Sequence, residues 1–222
     1  MKYSALSREV DTTDEKLADQ DGSHDAPSNI FWHSGSVTAQ ARASQFGYSP
    51  ATVWLTGLSG AGKSTIAYEL ESVLLAGRRP CFVLDGDNIR HQLNRDLGFS
   101  EADRKENIRR SAEVARLMND AGLIVITAFI SPYRADRAMA RDIIGHQRFL
   151  EVHVSTSAEV CEARDPKGLY AKARSGQIRE FTGVSSPYEE PLSAALRLDT
   201  GSVSLAGATA ALYDYLARSI GV

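Results

Sequence analysis

The stretch Gly57-Leu58-Ser59-Gly60-Ala61-Gly62-Lys63-Ser64, followed by Thr65, has the residue types and spacing that most directly imply chemistry. It satisfies G-x-x-x-x-G-K-[ST], the pattern of a loop that cradles phosphates. Its glycines let the backbone curl so that successive N–H groups point inward at phosphate oxygens, and a following helix adds its positive N-terminal end. Lys63 has the reach to meet β- and γ-phosphates, and the Ser64 hydroxyl can ligate Mg²⁺. A chance glycine-rich turn would not also supply the lysine, the hydroxyl, an apolar strand before and a helix after. The loop specifies a nucleoside triphosphate and leaves the reaction open.

Four further groups bear on the reaction. Asp85-Gly86-Asp87-Asn88-Ile89-Arg90 follows a second apolar strand. Its two carboxylates and arginine could support a metal and accept a hydroxyl proton in phosphoryl transfer, or the Asp-Gly pair could simply close a turn. Arg104, Asn107 and Ser111 are spaced three and four residues apart and share one helix face, with Arg109 and Arg110 pointing elsewhere. Interleaving with Glu101, Asp103, Glu106 and Glu113 also suits a solvated, salt-bridged surface. Ser131-Pro132-Tyr133 leaves a hydroxyl at the end of a buried strand, where it could act on a substrate or cap the next helix. Arg164-Asp165-Pro166-Lys167-Gly168-Leu169-Tyr170 opens a polar stretch that reads as a lid carrying cations to a transferring phosphate, or as an ordinary basic loop.

The elements that must position these groups alternate between strand and helix. Strands are expected at 52–56, 80–84, 123–129, 149–154 and 196–199. Helices are expected at 63–76, 87–97, from Ser100 (an N-cap, with Asp103 completing a capping box) to Gly122, then at 132–144, 157–164, 169–174 and 205–219. Residues 165–191 are expected to form the lid. Repeated strand–helix units predict an α/β fold, a three-layer P-loop NTPase architecture with a parallel sheet, helices on both faces and a mobile lid. Ligands then lie beyond the carboxyl ends of the strands. Residues 1–28 are acidic and poor in large apolar side chains, which predicts a flexible tail; the P-loop domain is expected over 29–222, with Ile30, Phe31 and Trp32 docking on it.

Composition narrows the function classes. A net charge of −3 over 222 residues gives no long-range field for nucleic acid. No apolar run is long enough to span a bilayer, and the acidic N-terminus argues against a signal peptide. Cys81 and Cys161 have no metal-like spacing and make a poor disulfide framework, which suits a reducing cytoplasm.

Taken in order, Asn29–His33, Gly57–Thr65, Asp85–Arg90, Leu97-Gly98-Phe99-Ser100, Arg104 through Arg110, Phe129 through Arg134, Asp165 through Ala173, and Phe181-Thr182-Gly183 with Pro187-Tyr188 resemble the adenylylsulfate kinases. The resemblance runs from about Asn29 to the C-terminus. It implies transfer of the ATP γ-phosphate to the 3′-hydroxyl of adenosine 5′-phosphosulfate, giving 3′-phosphoadenylyl sulfate and ADP, with Mg²⁺ as cofactor and a homodimer as the assembly. It implies that Phe99 and Phe181 sandwich the acceptor's adenine, as aromatic faces can grip a base. Arg90, Arg104 and Asn107 would hold the phosphosulfate and ribose, with Leu169 also lining the acceptor site. Asp87 would meet the 3′-hydroxyl region or the metal shell, and Lys167 with Lys63 the γ-phosphate. Ser131 matches a serine the family designates as a phosphorylated intermediate; because in-line transfer needs no covalent stage, it is read here as orienting the acceptor. Two competing readings are another small-molecule P-loop kinase and a nucleotide-binding module without turnover.

Overall fold

The computed structural model describes residues 29–31, 33 and 35–222; the expected acidic tail and Trp32 lie outside the described residues. Val37–Val222 form one compact unit. Ile30 and Phe31, expected to dock, are 65% and 75% exposed.

Within this unit, helix α1 (Ala39–Phe46) precedes strand β1 (Thr52–Thr56), helix α2 (Lys63–Ala76), strand β2 (Cys81–Asp85), and helices α3 (Gly86–His91) and α4 (Glu101–Asp120). Strand β3 (Ile124–Ala128), helix α5 (Arg134–Ile144), strand β4 (Phe149–Val154), helices α6 (Ala158–Arg164) and α7 (Leu169–Arg174), strand β5 (Leu196–Leu198) and helix α8 (Leu205–Ile220) follow. The sheet order is β2-β3-β1-β4-β5, with every pairing parallel. β1 is the central strand, and the connections leave it toward both edges; that reversal is where an open α/β sheet forms its binding crevice.

Thr-Val-Trp-Leu-Thr in β1 is buried throughout because both faces of the sheet are covered. Val53 and Leu55, with Ile124, Ile126, Val152 and Val154, pack under α2 and α8. Trp54, Val125 and Phe149 point the opposite way and pack under α4 and α5. The period-two alternation of the strands thus divides the core into two layers.

Several boundaries depart from the sequence reading for physical reasons. Only Gly86–His91 of the expected 87–97 helix is helical, because the fully buried Asn94 turns the chain and Arg90 Nη1 donates to the carbonyls of Leu97 (3.3 Å) and Gly98 (2.7 Å). Helix α5 begins at Arg134 rather than Pro132, whose carbonyl instead accepts from Glu189 N at 2.9 Å. Ser100 does cap α4, accepting from Asp103 N. Helix α1 was not anticipated, since its polar Ala-Gln-Ala-Arg-Ala-Ser-Gln run carries little apolar pattern. Phe46 at its end packs over Gly122, where a Cβ would lie 2.3 Å from the ring. Cys81 and Cys161 are free and buried. Among the described residues no helix is long and apolar enough to cross a membrane.

His153 lies on the α5 face of β4, 3% exposed, its ring stacked on Tyr188 at 5.8 Å and its Nδ1 without a hydrogen-bond partner. Burial, reinforced by Arg197, pushes its pKa down to about 4. Between pH 6.5 and pH 4 the unfolded chain therefore takes up a proton that the folded one refuses, and stability present above pH 6.5 is lost as pH falls. His153→Phe is expected to remove on the order of 2 kcal/mol of that loss, read as a flatter dependence of Tm on pH across this window. A parental slope in the variant would refute the assignment.

Candidate active site

The phosphate loop connects β1 to α2 and is shaped by close backbone approach. Gly57 has φ +154°, and a Cβ there would stand 2.4 Å from the Val154 carbonyl oxygen; at Gly60, φ +77°, it would stand 2.9 Å from that of Cys161. No side chain fits at either place. Lys63 folds back across the loop, donating to the carbonyls of Gly57 (2.9 Å) and Leu58 (2.7 Å). Burial pushes its pKa down to about 8. Ala61 is fully buried, and its carbonyl accepts from Thr156 and Thr200.

At the end of β2 the two carboxylates separate in role. Asp85 is buried; its Oδ1 caps α3 through Asp87 N and Asn88 N, and its Oδ2 accepts from Ser64 Oγ at 2.6 Å. Asp87 is exposed and ion-paired with Lys167, which arrives from the stretch after α6. The pair Ser64 and Asp85 gives two hard oxygens beside the phosphate loop, a donor set that suits Mg²⁺ bridging to substrate phosphates. Among the described residues no cluster of three or more His, Cys, Asp or Glu could hold a metal ion.

On the far wall, α4 buries Asn107 and Ser111, so this face is an interior one and not the solvated surface that its composition also allowed. Asn107 Oδ1 accepts from Asn94 Nδ2 at 3.0 Å, leaving its own Nδ2 as the remaining donor. Arg109 and Arg110 are turned away, held by Glu106 and Asp96. Arg104 spans the cleft: Nε donates to the Phe99 carbonyl (2.7 Å), Nη1 to Thr182 Oγ1 (3.0 Å) and Nη2 to the Glu180 carbonyl (2.6 Å). One guanidinium thereby ties the segment carrying Phe99 to that carrying Phe181. Phe99 is 63% exposed with Arg90 4.5 Å over its ring, whereas Phe181 is buried edge-on to Tyr170 at 4.9 Å. Burial, then the neighbouring Arg104, lowers the pKa of Arg90.

Ser131 does not cap α5, whose N-cap is Tyr133. It is buried, has φ +38°, and its Oγ accepts from the Trp54 indole N–H at 3.2 Å. A non-glycine residue in that region costs about 1–3 kcal/mol, so its surroundings must enforce the geometry. The stretch 165–191 is anchored at several points: Tyr170 OH donates to the Ser59 carbonyl (3.1 Å), Phe181 enters the core, and Tyr188 OH pairs with Thr56 Oγ1 (3.0 Å).

These elements enclose one cleft of about 1600 Å³. Ser59, Gly60, Gly62, Lys63, Ser64, Thr65, Asp87, Arg90, Phe99, Arg104, Asn107, Ser131, Lys167, Leu169 and Phe181 all line it. Gly57, Leu58 and Ala61 do not: Gly57 and Ala61 serve the loop's packing, and Leu58 lines a separate hollow of about 680 Å³ with His153 and Tyr188. Sequence reasoning gave no site role to Thr200 and Val203, which line the same cleft beside Arg164 of the expected lid. Arg164 donates to Thr200 Oγ1 and Thr200 O at 2.7 Å each. The position of Thr200 and Val203 just beyond β5, near the carboxyl edge of the sheet, was the available signal.

A family model described as adenylylsulphate kinase matches residues 49–199. The chain is 56% identical over 190 residues to an adenylyl-sulfate kinase of Shewanella pealeana, covering 86% of this chain and 93% of that one. It is 58% identical over 179 residues to one of Vibrio cholerae, covering 81% and 83%. Among solved structures, the Mycobacterium tuberculosis APS kinase in complex with AMPPNP and APS superposes with a TM-score of 0.73 at 48% identity, covering 76% of this chain and 98% of that one.

The buried state of Lys63 sets a pH dependence. A nucleoside triphosphate needs the ammonium form, so its affinity for the free protein is expected to fall as pH rises past about 8, by up to tenfold per pH unit. Lys63→Met is expected to bind more weakly and to lose that dependence. Titration calorimetry from pH 7 to 9.5 measures both; parallel slopes would contradict the role of Lys63.

Proposed function

This chain belongs to the adenylylsulphate kinase family and phosphorylates adenosine 5′-phosphosulfate at the expense of ATP, and we propose that both nucleotides lie in the single cleft with the reacting groups meeting over the phosphate loop. The observation that carries this reading is that the loop and the pair Phe99 and Phe181 share one cavity. Its volume, about 1600 Å³, exceeds the roughly 300–1,000 Å³ of a site for one small ligand.

The donor's phosphates rest on the loop's backbone N–H groups and Lys63, with its base toward Arg164, Thr200 and Val203. Bound phosphate gives Lys63 the counter-charge that burial denies it, drawing its ammonium from the loop carbonyls. Ser64 and Asp85 would hold Mg²⁺, which would neutralise charge on the donor's phosphates. Lys167 exchanges its ion pair with Asp87 for the γ-phosphate. Asp87, thereby freed, accepts the proton of the acceptor's 3′-hydroxyl as that oxygen bonds to the γ-phosphorus and the bond to the β–γ bridging oxygen breaks, releasing ADP. Arg104, already tied to both aromatic segments, fixes the sandwich, while Arg90 and the Asn107 amide hold the acceptor's anionic groups and ribose. Leu169 closes the same wall. The Ser131 hydroxyl keeps its proton for the acceptor while accepting the Trp54 N–H, and so orients substrate without becoming phosphorylated. The free, buried thiols of Cys81 and Cys161 support a cytoplasmic setting, and Phe82, 48% exposed on the edge strand β2, supports burial in a homodimer.

Purified protein with MgATP is expected to release ADP when adenylyl sulfate is added; none released would defeat the reading. Phe99→Ala is expected to raise the acceptor KM by about 5- to 150-fold, the equivalent of about 1–3 kcal/mol of base stacking, with the ATP KM unchanged. An unaltered acceptor KM would remove Phe99 from the sandwich.

A further inference from the structure

Arg137, on α5, is 2% exposed and reaches three groups at 2.7 Å each: Nε donates to Glu151 Oε1, Nη1 to the Ser131 carbonyl and Nη2 to the Glu189 carbonyl. Its guanidinium also lies over the Tyr188 ring at 5.9 Å. The Tyr188 hydroxyl meets Thr56 Oγ1, which donates to the Ile130 carbonyl next to Ser131. One buried cation therefore fixes two backbone points. One is the left-handed Ser131 in the cleft wall, and the other is the chain returning from the segment that carries Phe181.

A buried ion pair is a poor device for stability, because removing two ions from water offsets most of their attraction. What the guanidinium offers is direction, since its rigid planar fork addresses several acceptors at once. Glu151 neutralises and orients that fork. We propose that Arg137, aimed by Glu151, is a positioning residue for phosphoryl transfer: it clamps the Ser131 and Glu189 carbonyls so that the acceptor wall and the returning lid chain keep one geometry. The proposal rests on the reading of Ser131 as the residue that orients the acceptor hydroxyl. Misplacing a reacting group by about an ångström costs rate on the order of 100-fold, so the clamp acts on turnover and leaves donor binding alone.

The double variant Arg137→Met/Glu151→Leu removes both charges while filling their volume, and it leaves Arg141, which pairs with the other Glu151 oxygen at 2.9 Å and is one-third exposed, to turn to water. It is expected to keep a cooperative melt and an ATP Kd within about twofold of the parent, and to lose kcat by about 10- to 100-fold. Arg137→Lys keeps the pairing charge but lacks the fork, so it is expected to lose kcat by about tenfold or more with ATP affinity intact. Parental kcat in either folded variant, or a kcat loss matched by an equal loss of ATP affinity, would overturn the proposal. If the double variant does not fold, Arg137→Lys decides alone. Ser131→Ala tests the underlying reading separately: parental kcat and acceptor KM there would sink the role of Ser131, whereas an impaired Ser131→Ala beside an unimpaired Arg137→Lys would sink only the clamp.

Discussion

The contact between Gly57 and the carbonyl of Val154 is the constraint from which the rest of the site follows. With no Cβ at residue 57, β1 can end hard against β4 and the chain can curl at once into the phosphate loop. That curl aims Lys63 back at the carbonyls of Gly57 and Leu58 and puts Ser64 against Asp85 at the end of β2. The parallel register then brings the loops after β1, β2 and β3 to one edge. A side chain at residue 57 would push β1 from β4 and disperse groups that come from distant parts of the sequence.

Charge in the cleft is organised around a polyanion. Lys63 is buried beyond what an ammonium prefers, and Lys167 borrows Asp87 as its partner. On the proposed function a bound phosphate improves both arrangements, so that binding energy is directed to the place where the γ-phosphoryl group moves. By contrast each guanidinium nitrogen of Arg104 and Arg137 already donates to a protein group, and the two side chains work as struts.

Much of the fold was legible because local signals agreed with one another. The apolar runs around Val53, Val83, Val125 and Val152 each read as a buried strand, and Ser100 and Ser157 marked helix starts that the structure keeps. The errors fell where tertiary contacts override propensity. The helix expected over 87–97 stops at His91 because Asn94 and the side chain of Arg90 bend the chain so that Phe99 faces the cleft. The helix expected from Pro132 starts later because the Pro132 carbonyl is taken by Glu189, 57 residues downstream. Helix α1 was missed because a single residue, Phe46, carries its packing.

Residue types at fixed short spacing determined the nucleotide loop and the alternation of strand and helix, since each depends on neighbours within a few positions; the candidate cleft residues beyond the loop came from the resemblance to a known family. Only the folded chain decided which of two nearby aspartates is buried against Ser64, that Asn107 and Ser111 face inward, and that Arg104 binds backbone on both sides of the cleft. It also decided that Ser131 is held in a left-handed conformation by Arg137. Those outcomes turn on hydrogen bonds between groups up to 78 residues apart, whose energies depend on burial and direction, and neither is written in the local order of side chains.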